Sequence, residues 1–177
     1  MSVPPFLKLY HTGIIVDSLD DAMESWGRTL GLDWAPPLSS TVPLLCPDGV
    51  VGREVRFTYS LQGPHHIELL EQIDPSPYLN VTGGRHVHHL GYFTDDLPGA
   101  AAHLSEQGFR MELSGVADDG GVARASFHYS ELSPGMWIEL VSHEIAAEIG
   151  DWIRIAAEER GIEYVSPFDL PARQEQP

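Results

Sequence analysis

The sequence predicts an α+β protein made from two copies of one β-α-β-β-β module, with an additional helix at the end. Three matches, in the same order in both halves, predict it. The run His11-Thr-Gly-Ile-Ile-Val-Asp-Ser-Leu-Asp-Asp-Ala22 is echoed by His89-Leu-Gly-Tyr-Phe-Thr-Asp-Asp-Leu-Pro-Gly-Ala100, 78 residues on. Both read His-x-Gly, three strand-forming residues, then Asp-x-Leu-x-x-Ala. Further along, Phe57-Thr-Tyr-Ser60 is matched by Phe127-His-Tyr-Ser130, and Ile67-Glu-Leu69 by Ile138-Glu-Leu140, at offsets of 70 and 71. Repeated order with a drifting offset is the mark of a duplicated unit whose loops have changed length.

Residues 7–16 are rich in β-formers and predict the first strand. Asp17 to Asp21 is a helix start, because short polar side chains accept from free backbone N–H groups and early carboxylates suit the positive helix end. Leu19, Ala22, Met23, Trp26 and Leu30 recur at helical spacing, and Gly31 ends the helix. Residues 33–40 read as loop and 41–46 as a strand. The turn Pro47-Asp-Gly49 follows, then strands over 53–61 and 65–72 around the turn Gln62-Gly-Pro64. Residues 73–85, with their prolines and Gly83-Gly84, read as the linker between a first module over 7–72 and a second over 86–142. The second repeats the order: a strand over 87–94, a helix over 96–107 stopped by Gly108, then strands over 109–116, 122–129 and 136–142, with turns at Asp118-Asp-Gly-Gly121 and Ser133-Pro-Gly135. Residues 143–177 supply a helix over 144–160 and a polar tail. The helix carries an apolar stripe of Ile145, Ile149, Trp152, Ile153 and Ala156, which calls for a sheet or a partner subunit to cover it. The 177 residues suit a single domain of two halves sharing a core.

Composition narrows the function. The formal net charge is −16, with Lys8 as the one lysine, which argues against nucleic acid. No apolar run is long enough for a membrane span, and the first residues lack the pattern of a signal peptide. Cys46 is the one cysteine, so no intrachain disulfide forms and a reducing compartment, the cytoplasm, is expected. Within Leu44-Leu-Cys-Pro47 it reads as a small apolar residue rather than a nucleophile.

The residues that carry chemistry are the repeated ones. A histidine and a carboxylate inside an apolar strand are costly to bury unless paired or metal-bound. Because strand side chains alternate, Glu68 and Glu139 face away from the isoleucine and leucine on either side of them. A single Ile-Glu-Leu strand with its glutamate in water is ordinary. Two of them, each preceded by a matching histidine strand, point to a site.

The ordered set His11-x-Gly, Ile67-Glu-Leu, His89-x-Gly and Ile138-Glu-Leu, on duplicated modules over about residues 7–142, resembles the vicinal oxygen chelate superfamily, which includes glyoxalase I, methylmalonyl-CoA epimerase, extradiol dioxygenases and fosfomycin-resistance proteins. The resemblance implies that the mixed sheet curls into a partial barrel around a divalent metal held by His11, Glu68, His89 and Glu139. It also implies a homodimer. Such an N/O set suits Zn, Ni, Co, Mn or Fe(II). A cation there acts as a Lewis acid beside a carbonyl, and Glu139 or Glu68 can serve as the base. The implied function is a metal-dependent isomerase, epimerase or lyase acting on a small molecule. The alternatives are an extradiol-type Fe(II) dioxygenase, for which Glu68 is surplus, and a non-catalytic small-molecule binding protein of the same fold. By parity His66 shares the face of Glu68 and is a pocket candidate, as is His128, which replaces Thr58 of the first copy. His88 is expected on the face opposite His89, and His86 either inward or in the loop. Few cations are available for a coenzyme A or glutathione ester; Arg53, Arg56, Arg85 and Arg124 do not cluster in sequence. A weakly anionic carbonyl compound fits the charge better.

Overall fold

The computed structural model describes residues 8–71, 87–116, 122–132 and 136–167. The linker, the glycine-rich turn near 120, the turn at 133–135, His86, Arg85 and the tail from 168 lie outside the described residues. The elements are β1 (Lys8–Val16), α1 (Leu19–Leu30), β2 (Leu38–Cys46), β3 (Gly49–Tyr59), β4 (His66–Glu71), β5 (Val87–Thr94), α2 (Leu97–Glu106), β6 (Arg110–Val116), β7 (Val122–Tyr129), β8 (Trp137–Ser142) and α3 (His143–Glu159). The two modules are both β-α-β-β-β, as the repeat predicts.

Eight strands close into a barrel in the order β1-β4-β3-β2-β6-β7-β8-β5. Within each half the first and last strands run parallel, β1 with β4 and β5 with β8. The halves meet antiparallel, at β1 with β5 and at β2 with β6. The β2–β6 seam is short, pairing only Leu44 with Gly115 and Leu45 with Ser114. Strand β2 begins at Leu38 rather than Thr41, and β3 at Gly49 rather than Arg53. The hairpin pairs backbone to backbone from Leu38–Phe57 to Cys46–Gly49, and much of it is exposed, so side-chain patterning carries little trace of its length.

Helix capping follows the repeat. The Ser18 hydroxyl accepts from the Asp21 N–H at 3.3 Å, and Asp96, its counterpart in the second half, accepts from the Gly99 N–H at 3.0 Å. Gly31, at φ 70°, closes α1 in the left-handed conformation that glycine takes without strain. Helix α1 packs Leu19, Met23 and Trp26 on Ile14 and Leu69, on the outer face of the barrel. Helix α2 packs Ala100 and Leu104 on Leu140.

Helix α3 covers the other face. Its Ala146, Ile153, Ala156 and Ala157 are buried with Tyr10, Tyr59, Phe93 and Val141. Tyr59 pairs with Glu68 across β3–β4, and Val141 lies two residues beyond Glu139. Of the two covers that the α3 stripe allows, the sheet of the same chain supplies one. Among the described residues no helix is long and apolar enough to cross a membrane.

Candidate metal centre

Four adjacent strands, β4-β1-β5-β8, bring the two halves of the repeat together. Their register forms two rows. In one, Glu68, Gly13 and His89 lie side by side; in the other, His11, Gly91 and Glu139. A glycine therefore sits between a histidine and a glutamate in each row. A Cβ built on Gly13 would collide with the His89 ring, and one built on Gly91 would collide with the His11 ring. This is the physical content of His-x-Gly. The glycine of each half clears the space that the histidine of the other half occupies.

The four side chains converge within one chain. His11 Nε2 lies 3.4 Å from Glu68 Oε2 and 3.0 Å from Glu139 Oε2. His89 Nε2 lies 3.0 and 3.3 Å from the same two oxygens. The two Nε2 atoms are 2.9 Å apart. Both histidines are fully buried, and Glu68 and Glu139 are nearly so. One donor atom from each of the four fits within 4.8 Å of all the others.

Electrostatics bind the quartet tightly. Burial disfavours the imidazolium of His89, yet the carboxylates of Glu139 and Glu68 outweigh it and raise its pKa to about 9; His11 is raised for the same reasons. Burial pushes both glutamates up, and the two imidazoles more than reverse it, so both are held below the ordinary carboxylate range. Neither Glu68 Oε2 nor Glu139 Oε2 completes a hydrogen bond. Two carboxylate oxygens and two imidazole nitrogens, buried, with each nitrogen 2.9–3.4 Å from the other three donors, fit a divalent cation. Donors at about 2.0–2.2 Å from a shared centre are separated by roughly these distances.

Around the four lies a shell that sequence reasoning does not reach. Tyr59 pairs with Glu68 across β3–β4 and donates its hydroxyl to that carboxylate. Burial, reinforced by the glutamates, raises the phenols of Tyr59 and Tyr10 well above their ordinary range and keeps them protonated. Tyr59 also sets its ring edge-on to His11 at 5.3 Å. A signal for it exists, since Tyr59 stands in the repeated Phe-x-Tyr-Ser. Phe127, from the second copy of that motif, lies edge-on to His89 at 5.2 Å.

The pocket candidates part company. His66 is buried at the end of the second row, pairs with His11 across β1–β4 and stacks on Tyr164. Its Nδ1 meets the Ser60 carbonyl at 2.8 Å, and its Nε2 is unpartnered. His128 alternates with Phe127 and turns to Ser126 Oγ at 2.9 Å instead of the quartet. Burial pushes both imidazoles down to about 4. They are neutral when folded, whereas the unfolded chain protonates them near pH 6.5. Their contribution is thus intact above about pH 6.5 and is lost as pH falls towards 4. A thermal melt series from pH 6.5 to 4.5 should show His128→Asn losing less stability than the parent, by about 2–4 °C. Parallel curves would mean that His128 is not buried neutral.

An eight-stranded barrel of two βαβββ modules thus surrounds a buried two-histidine, two-glutamate cluster that could hold a metal ion. The chain belongs to the glyoxalase/bleomycin resistance protein/dioxygenase superfamily, whose family model matches residues 10–127. His11, Glu68 and His89 fall inside that match and Glu139 beyond it. No curated protein matches the chain. Among solved structures, the fold is similar to methylmalonyl-CoA epimerase from Mycobacterium tuberculosis, at TM-score 0.59 and 21% identity, covering 83% of this chain and 96% of that one. A hypothetical protein, BH1468 from Bacillus halodurans, aligns at TM-score 0.57 and 22% identity, over 77% and 94% of the two chains. A methylmalonyl-CoA epimerase in complex with methylmalonyl-CoA and an ammonium ion aligns at 0.56 and 20%, with the same coverage.

Proposed function

We propose that this chain is a divalent-metal-dependent isomerase or epimerase that moves a proton on a carbon next to a carbonyl, with His11, Glu68, His89 and Glu139 as the metal ligands. The single observation that carries the reading is the buried quartet, in which four N/O donors converge and the two carboxylate oxygens complete no hydrogen bond. Zn, Ni, Co, Mn and Fe(II) all suit that donor set. When bound, the cation supplies Lewis-acid polarisation of the carbonyl, which acidifies the neighbouring carbon.

The chain's own residues do the rest. Glu139 takes the proton, because Tyr59 ties Glu68 in place and leaves Glu139 the freer of the two carboxylates. Tyr59, Phe127 and the apolar face of α3 exclude water from the reacting carbon. The substrate is small and weakly anionic. Arg28, Arg56, Arg110, Arg124, Arg154 and Arg160 each have a carboxylate partner, so they offer little to a phosphate-rich carrier. A homodimer in the cytoplasm completes the proposal. Four protein donors speak against the extradiol dioxygenase alternative, which uses two histidines and one carboxylate.

Two measurements test it together. Purified protein should hold about one equivalent of divalent metal by elemental analysis, and His89→Ala should hold at least about tenfold less. The metal-loaded parent should exchange the α-proton of simple 2-oxo or 2-hydroxycarbonyl compounds with deuterium from solvent. Undiminished metal in His89→Ala would remove the site. Tight ligand capture with no deuterium uptake would favour a binding protein.

A further inference from the structure

The β1–β5 pairing contains two matched irregularities. Leu9 pairs with Tyr92 and His11 with Gly91, so Tyr10 is an extra residue on β1. Gly13 pairs with His89 and Ile14 with Val87, so His88 is an extra residue on β5. Each is a bulge immediately before a quartet histidine, and Tyr10 and His88 are equivalent in the repeat. A bulge breaks strand alternation and re-aims a side chain. That is what happens here. His88 does not point away from His89; its Nδ1 lies 3.0 Å from His89 Nδ1. Its ring is stacked on Trp137, with centroids 5.4 Å apart and planes 19° apart, and is flanked by Phe127 at 6.2 Å. It is nearly fully buried.

The two bulges act differently. In the first half the bulged Tyr10 sets its ring edge-on to His11 at 4.3 Å, and His11 Nδ1 has no hydrogen-bond partner. In the second half the histidine Nδ1 itself is held.

We propose that His88 is a positioning residue of the metal centre, whose Nδ1 accepts the Nδ1–H of His89 and so fixes the ring and tautomer that leave His89 Nε2 facing the cation. This rests on the reading of the quartet as a metal site. Metal-bound imidazoles are commonly oriented through their second nitrogen, usually by a carboxylate or carbonyl, and loss of that partner weakens binding by about 10–100-fold. Here another imidazole does it, itself immobilised by an indole. The first half fixes its carboxylate and the second its histidine, which leaves His11 and Glu139 as the two ligands without such support.

Competition titration with Zn²⁺ or Co²⁺ against a chelator is the test. His88→Phe keeps the stacking on Trp137 but removes the acceptor, and should weaken binding about 10–100-fold and change the visible spectrum of the Co²⁺ form. His88→Asn, which restores a polar atom near the lost Nδ1, should recover much of the loss. In Zn²⁺-loaded, ¹⁵N-labelled parent protein, imidazole correlation spectra should place a solvent-protected proton on His89 Nδ1. Affinity within about twofold of the parent in His88→Phe, or a His89 Nδ1 that is unprotonated or exchanges freely in the parent, would overturn the proposal. The NMR arm needs no variant to fold. If His89→Ala also binds metal like the parent, it is the site reading that fails; if His89→Ala loses metal and His88→Phe does not, only the role of His88 falls.

Discussion

Gly13→Ala and Gly91→Ala should each abolish high-affinity metal binding, weakening it by more than about 100-fold, and should destabilise the fold by about 1–3 kcal/mol. The methyl added at Gly13 falls on the His89 ring, and the one added at Gly91 falls on the His11 ring. Neither ring can step aside. His89 is wedged edge-on between His11 at 5.0 Å and Phe127 at 5.2 Å, with its Nδ1 against His88. His11 is wedged between Tyr10 at 4.3 Å and Tyr59 at 5.3 Å. In a close-packed interior such an overlap is relieved only by displacing a ligand or parting the two strands. The control is Gly52→Ala, on the exposed hairpin, where a Cβ meets only Thr41 Cγ2 at 3.7 Å, an ordinary contact; it should stay within about 0.5 kcal/mol. Thermal melts with and without Zn²⁺ check this. Both Gly13→Ala and Gly91→Ala should lose most of the metal-induced rise in Tm, while Gly52→Ala keeps it. Parental metal affinity in either of the first two variants would mean that the rings do not lie where the register puts them.

The same geometry explains what the sequence makes legible. The frame His-x-Gly is recognisable as a repeat because both of its residues are tied to the other half of the chain. Neither can drift without the other, so the motif survives while the loops between strands change length. Glu68 and Glu139 are legible for a related reason, since a charge inside an apolar strand demands a partner. What parity does not supply is His88. Alternation puts consecutive residues on opposite faces, and only a bulge, which depends on pairing with a distant strand, turns His88 back beside His89. Tyr10 is hidden by the same kind of irregularity. The cover over the centre is half legible: the stripe on α3 announces a buried face, but only the tertiary contact shows that this face lies on Tyr59, Phe93 and Val141. Closure of the barrel is the least visible of all. It depends on a seam of two residue pairs, Leu44 with Gly115 and Leu45 with Ser114, and no periodicity encodes it.

If Glu139 is the base, Glu139→Gln should reduce solvent deuterium uptake into substrate by about 10²–10⁴-fold, the span expected for removing a general base. Gln keeps a neutral oxygen donor of nearly the same shape, so the variant should still fold and retain metal at a reduced affinity. Glu68→Gln offers the decisive contrast. Its carboxylate is held by the Tyr59 hydroxyl as well as by both histidines, and a group so held is a structural ligand rather than a mobile proton carrier. That variant should bind metal less tightly but, once loaded at saturating Zn²⁺, should exchange deuterium within about tenfold of the parent. Tyr59→Phe sharpens the comparison, because it frees Glu68 without changing either carboxylate. If the tyrosine is what separates the two roles, Tyr59→Phe in the Glu139→Gln background should restore part of the lost exchange through Glu68. Equal losses in Glu139→Gln and Glu68→Gln at full metal loading would show that the pseudo-twofold arrangement uses its two glutamates alike, and would withdraw the assignment of Glu139 as the sole base.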